Sequence, residues 1–180
     1  PGDHVLLTKG VAVEGTAIIA REFEALLKER GVDAHTITRS KQLLDQISVL
    51  EEARIATQLA GVSAMHDVTE GGLATALEEL SIAGQYGIAV KHDAIPILPE
   101  TRAVCDAMRI DPLGLIGSGS LLICCRGDVS MALQDCISQA GIPVAQIGEI
   151  LDAKPGITAS TGQTTIEWPR FEVDEIARLF

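Results

Sequence analysis

A short apolar segment, Ala64-Met65-His66-Asp67-Val68, runs through Thr69-Glu70-Gly71-Gly72 straight into Leu73 and Leu77 at helical spacing. An acid, a hydroxyl and two glycines at a strand-to-helix turn are parts from which phosphate sites are often built. Thr69 is expected to cap the helix by accepting from an unpaired backbone amide. Gly71 and Gly72 let the backbone approach a ligand without a Cβ in the way, and free amides at a helix start favour an anion. A tight turn with no ligand uses the same residues, and one glycine-rich loop does not choose between them. Asp67 is the candidate catalytic carboxylate; it could orient a substrate group or bind a cation, or bond only to the amides of its own turn. His66 reads as a packed or solvated histidine.

Two further loops carry similar residue types. In Lys9-Gly10-Val11-Ala12-Val13-Glu14-Gly15-Thr16, Lys9 could meet a phosphate or simply be a surface charge. In Gly117-Ser118-Gly119-Ser120, the hydroxyls could donate to a ligand oxygen or cap a turn. The candidate substrate- or phosphate-binding set is Lys9, Gly10, Gly15, Thr69, Gly71, Gly72, Ser118, Gly119 and Ser120. These loops are expected to converge on one concave surface. No metal site is expected, and no serine has a His–acid partnership that would make a hydrolase triad.

The elements that must position these loops follow from apolar spacing. Val5–Thr8 reads as a strand, and Gly15 to Arg30 as one helix with Ile19, Phe23, Leu26 and Leu27 on a face and Gly31 as its stop. Val32–Ile37 alternates weakly like a strand, and Gln42 to Leu59 reads as a second helix ending at Gly61. Strand Ala64–Val68 leads into a helix with Leu73, Leu77, Leu80 and Gly84 in line. Ile88–Lys91 is a strand, Pro99–Met108 a helix opened by proline, and Ser120–Cys125 a fully buried, central strand. Asp128 is expected to cap a helix with Val129, Leu133, Cys136, Ile137 and Ala140 inward, closed by Gly141. Val144–Ile150, Gly156–Ser160 and Thr164–Trp168 read as a terminal antiparallel set, with Thr161-Gly162-Gln163 as a hairpin turn. Strands both separated by helices and joined by hairpins predict an α+β fold: a mixed, largely antiparallel sheet with packed helices, partly ferredoxin-like.

Composition bounds the function. The 180 residues are 47% hydrophobic, enough for one real core, and 25 acids against 14 bases give a net charge of −11. Such a chain is not expected to grip nucleic acid. No apolar run reaches membrane-spanning length and the N-terminus is not a secretory signal, so a soluble, cytoplasmic location is expected. Cys105, Cys124, Cys125 and Cys136 lack C-x-x-C spacing and read as buried thiols, with Cys124 and Cys125 on opposite faces of a strand. Pro1-Gly2-Asp3 reads as a boundary turn, which predicts a chain cut from a longer protein.

The three loops, in this order, resemble the C-terminal domain of the AIR (aminoimidazole ribonucleotide) synthase-related superfamily over nearly the whole chain. The likeness is greatest to its hydrogenase expression/formation branch, HypE, and to AIR-synthase-related neighbours. The superfamily also holds purine-synthesis enzymes, selenophosphate synthetase and thiamine-monophosphate kinase. The resemblance implies a single C-terminal domain over residues 1–180, with ATP and magnesium held mainly by an N-terminal nucleotide-binding domain absent from this chain. It implies that this domain helps close the active-site cleft through its glycine loops and is inactive alone. The implied parent is a homodimer with a hydrogenase-maturation partner. A non-catalytic binding or assembly module of the same fold is the alternative.

Two departures from the branch are expected to matter. Its motif usually reads Asp-Pro-Thr-Arg-Gly-Gly, whereas this chain has Asp67-Val68-Thr69-Glu70-Gly71-Gly72, with the charge reversed at Glu70. Branch members end in a cysteine whose carbamoyl group is dehydrated to a thiocyanate, whereas this chain ends Ile176-Ala177-Arg178-Leu179-Phe180. Either the chain is trimmed or the parent does not perform that dehydration.

Overall fold

Residues Pro1–Phe180 are all described by a computed structural model. Seven strands form one sheet: β1 (Asp3–Thr8), β2 (Val62–Asp67), β3 (Gly87–Lys91), β4 (Leu121–Arg126), β5 (Val144–Leu151), β6 (Gly156–Thr161) and β7 (Thr164–Ile166), in the order β2-β4-β1-β5-β3-β6-β7. Every neighbouring pair is antiparallel except β3 with β6, which is parallel. The helices are α1 (Val13–Glu22), α2 (Glu24–Glu29), α3 (Ala34–Gln42), α4 (Leu50–Ala56), α5 (Gly72–Gly84), α6 (Pro99–Met108) and α7 (Gly127–Gln139). The fold is the mixed α+β type expected. No helix is long and apolar enough to cross a membrane.

Period-two alternation explains why β1 and β4 are buried on both faces. Val5, Leu7, Leu122 and Cys124 enter one core with Leu73, Leu77, Ile88 and Trp168; Leu6, Leu121, Ile123 and Cys125 enter another with Ile55, Leu133 and Ile137. Cys124 and Cys125 therefore do face opposite ways. A third core joins α1, α2, α3 and α6 through Ile19, Leu27, Ile37 and Val104. On α5, Leu73 and Leu77 are fully buried one turn apart, each stabilising by about 2 kcal/mol.

Several expectations are corrected. The helix expected from Gly15 to Arg30 breaks at Phe23, whose backbone (φ −114°, ψ 27°) leaves the helix. Its ring joins the α1–α2–α3–α6 core and meets Phe180 edge-on at 5.2 Å. Val32–Ile37 is not a strand: extended Asp33 caps α3 by accepting from the Thr36 amide at 3.0 Å and the Thr36 hydroxyl at 2.6 Å. The helix from Gln42 to Leu59 is a 3-10 turn, Leu43–Gln46, followed by α4. Asp128 lies inside the first turn of α7 and takes the Arg126 guanidinium instead of capping. β4 is interior, but the middle position belongs to β5. β6 and β7 form the expected hairpin, whereas β3 stands between β5 and β6. Cys136 is exposed rather than buried, because Leu133 and Ile137 set the inward line of α7 and Cys136 falls beside it.

Candidate functional site

Antiparallel pairing brings the three loops together. β1 and β2 both run against β4, so the exits of β1 and β2 lie beside the entry to β4. The loops are then tied to one another. The Gly117 amide donates to the Thr69 carbonyl at 3.2 Å, and the Val68 amide to the Ser120 carbonyl at 3.0 Å. The Gly15 amide donates to the Ile116 carbonyl at 3.0 Å, and the Ser120 hydroxyl to the Gly10 carbonyl. The Leu121 amide donates to Thr8 Oγ1 at 3.0 Å.

Glycine is required where the loops touch. Gly72 has φ +61°, and a Cβ there would stand 2.5 Å from the Leu113 carbonyl oxygen. A Cβ on Gly15, inside α1, would stand 2.5 Å from Leu115 Cγ. Both glycines serve backbone approach, but the approaching backbone is the protein's own.

The polar candidates divide by whether their bonds are already made. The Lys9 ammonium donates to Glu52 Oε1 at 2.7 Å and to the carbonyls of Ser48 and Gly119, each at 2.8 Å, so all three of its protons are used internally. Glu52 is 1% exposed and also accepts from the Thr8 hydroxyl at 3.2 Å. Ser120 is fully buried and spends its hydroxyl on Gly10. Thr69 does not cap α5: Gly71 occupies the N-cap position with φ +75° and no side chain caps the helix, while Thr69 contributes its carbonyl to Gly72 and Gly117.

Ser118 is half-buried, and Asp67 and Glu70 are exposed at the end of β2 and in the turn after it. His66 Nδ1 lies 3.8 Å from the Asp67 carboxylate, and His66 Nε2 lies 2.9 Å from Glu79. Glu14 keeps one buried oxygen, Oε2, without a hydrogen-bond partner. The loop face is therefore a fixed backbone framework on which Ser118, Asp67, Glu14, Thr69 and Glu70 are polar side chains open to new bonds.

Two structural residues of this face were not read from the sequence. Asp174, near the C-terminus, accepts from the Gly71 amide at 2.7 Å and the Ile116 amide at 3.3 Å. An internal carboxylate thus takes the amide of the residue that precedes α5. Its bond to the Ile176 amide, at 2.9 Å, is a local capping signal visible in sequence; its reach to Gly71 is not. Glu52 could have been noticed as an acid on the same helical face as Ile55 and Ala56. A depression of about 620 Å³ lies between α5 and the β6–β7 hairpin, lined by Glu78, Ile82 and Trp168. Burial pushes the Cys105 and Cys124 thiols up to about 12 and raises Cys125 as well, which removes them as nucleophiles.

Residues 1–159 match the family described as AIR synthase related protein, C-terminal domain. Carbamoyl dehydratase HypE of Cupriavidus necator is 28% identical over 181 aligned residues, taking in 93% of this chain and 47% of that protein. The structure of E. coli HypE superposes with a TM-score of 0.76 at 23% identity, covering 97% of this chain and 52% of that one. A structure of HypE in complex with ATP (TM-score 0.65, 20% identity) covers 98% of this chain and 53% of that one. The HypE–HypF complex (0.68, 20%) covers 94% and 53%. At these identities the superpositions show the fold. The chain spans about half the length of the relatives it matches.

Proposed function

The chain belongs to the AIR synthase-related C-terminal domain family, and from that premise we propose that it is the C-terminal half of an ATP-dependent enzyme of the hydrogenase-maturation type. The observation that carries the reading is the mutual bonding of the Gly10–Thr16, Thr69–Gly72 and Gly117–Ser120 loops at one end of the sheet. A preset backbone face of this kind suits closure over a second domain, where it excludes water from a reactive phosphorylated intermediate. Asp67, Ser118 and Glu14 are the side chains on it that would meet substrate.

The nucleotide is assigned to the other half. Lys9 has no free donor and the Gly71 amide is taken by Asp174, which supports placing the nucleotide mainly on the other half. Magnesium is assigned with the nucleotide to that half. HypE has been solved with ATP and with HypF. That relationship supports ATP use and a maturation partner for the parent; that the parent is a homodimer supplied with a carbamoyl group by such a partner is part of the proposal. Unpaired cysteines and ATP dependence fit the cytoplasm.

Titration calorimetry of this chain with Mg-ATP tests the division of labour. No binding at millimolar nucleotide is expected; tight binding would place the site here and overturn it. A protein joining this chain to its nucleotide half should turn ATP over, and binding without turnover would favour an assembly module.

A further inference from the structure

The segment Phe171–Phe180 returns to the loop face and holds it at several points. Asp174 bridges the first turn of α5 and the loop before β4 through Gly71 and Ile116. Next to it, Glu175 is 4% exposed, accepts from the Asp111 amide at 2.9 Å and pairs with Arg178 at 2.8 Å. The Phe171 ring sits on Gly114, where a Cβ would come within 2.5 Å of it. Ile176 and Leu179 pack into the α1–α2–α3–α6 core, and Phe180 meets Phe23.

These contacts have a common effect. Gly71 precedes α5 with φ +75°, and the partner of its amide is Asp174 rather than a group of the helix. A carboxylate answers that amide with a charge-assisted bond, and the helix start favours its negative charge. Because the other oxygen of the same group takes Ile116, one side chain adds a second tie between the two loops beside the Gly117–Thr69 backbone bond.

We propose that Asp174 is the positioning residue of the loop face and that Phe171–Phe180 is a clasp which fixes the Thr69–Gly72 and Leu115–Gly117 backbones relative to each other. The clasp itself stands on the contacts above. Its consequence for turnover rests on the proposed function.

Amide hydrogen exchange on the whole chain tests the clasp without any nucleotide. Asp174→Ala is expected to speed exchange at Gly71 and Ile116 by about tenfold or more, leaving Leu122 and Ile123 of β4 protected. Asp174→Asn, which keeps an acceptor oxygen, is expected to restore part of the protection, and it carries the comparison if the alanine variant does not fold. Unchanged exchange at Gly71 and Ile116 overturns the proposal, as does an equal rise across β4, which would make Asp174 a contributor to global stability only. In the protein that includes the nucleotide half, Asp174→Asn is expected to lower kcat by about tenfold while the KM for ATP holds. A wild-type kcat there would overturn the positioning role. An inactive wild-type protein would instead count against the proposed function, with the exchange result still deciding the clasp.

Discussion

Lys9 Nζ lies 2.7 Å from Glu52 Oε1, and this ion pair joins the exit of β1 to α4 across the loop that enters β4. The lysine side chain is 10% exposed and the glutamate side chain 1%, so the glutamate is shut off from water and the lysine is largely so. Removing one partner leaves the other buried and uncompensated. Glu52→Ala is therefore expected to cost about 3–5 kcal/mol in urea unfolding. The double change Lys9→Met, Glu52→Leu should cost less than the sum of the two single changes. A loss below about 1 kcal/mol for Glu52→Ala would show that the pair does not organise the loop.

Cys136 is exposed on α7, whereas Cys105, Cys124 and Cys125 are buried. A thiol reagent is expected to label one cysteine of the native chain rapidly and all four after unfolding in guanidinium. Cys136→Ser should abolish the rapid phase. Rapid native labelling at Cys124 would mean that the sheet core opens.

Acid should weaken the fold through surface carboxylates whose protonation is opposed in the folded state. Hydrogen bonds from Lys28 and Lys41 bring Glu24 from 4.5 down to about 2, and the Thr36 hydroxyl lowers Asp33. A carboxylate with a depressed folded value contributes stability above its unfolded value and loses it as pH falls through the folded one. Thermal unfolding followed by circular dichroism should show Tm falling as pH drops from 4.5 towards about 2. Glu24→Gln should reduce the fall. An identical acid limb in the variant would show that the Lys28–Glu24–Lys41 contacts contribute nothing.

The fold was legible where burial imposes a period. The unbroken apolar run Leu121–Cys125 marked β4 as buried on both faces, and Leu73, Leu77 and Leu80 marked the inner line of α5. It was less legible where local capping outweighs pattern: Asp33 and Thr36 turn an apparently alternating stretch into the start of α3. The loops of the site could be named from glycine, serine and lysine. What those residues bond to depends on contacts distant in sequence, such as Lys9 with Gly119 and Gly71 with Asp174, and no local spacing encodes them. The Thr69 cap failed for the same reason. The turn was recognised, but Gly71 took the N-cap position and a carboxylate from the other end of the chain took its amide.

The central proposal, that this domain is half of an ATP-dependent enzyme of the hydrogenase-maturation type, is tested most directly by mass spectrometry of the protein that contains it together with its nucleotide half. The protein is first loaded by its carbamoyl-transfer partner with carbamoyl phosphate, then given Mg-ATP. The expected result is loss of one water from a carbamoylated cysteine, leaving a thiocyanate, only when ATP is present. A carbamoylated cysteine unchanged by ATP, or no carbamoylation at all, would contradict the claim.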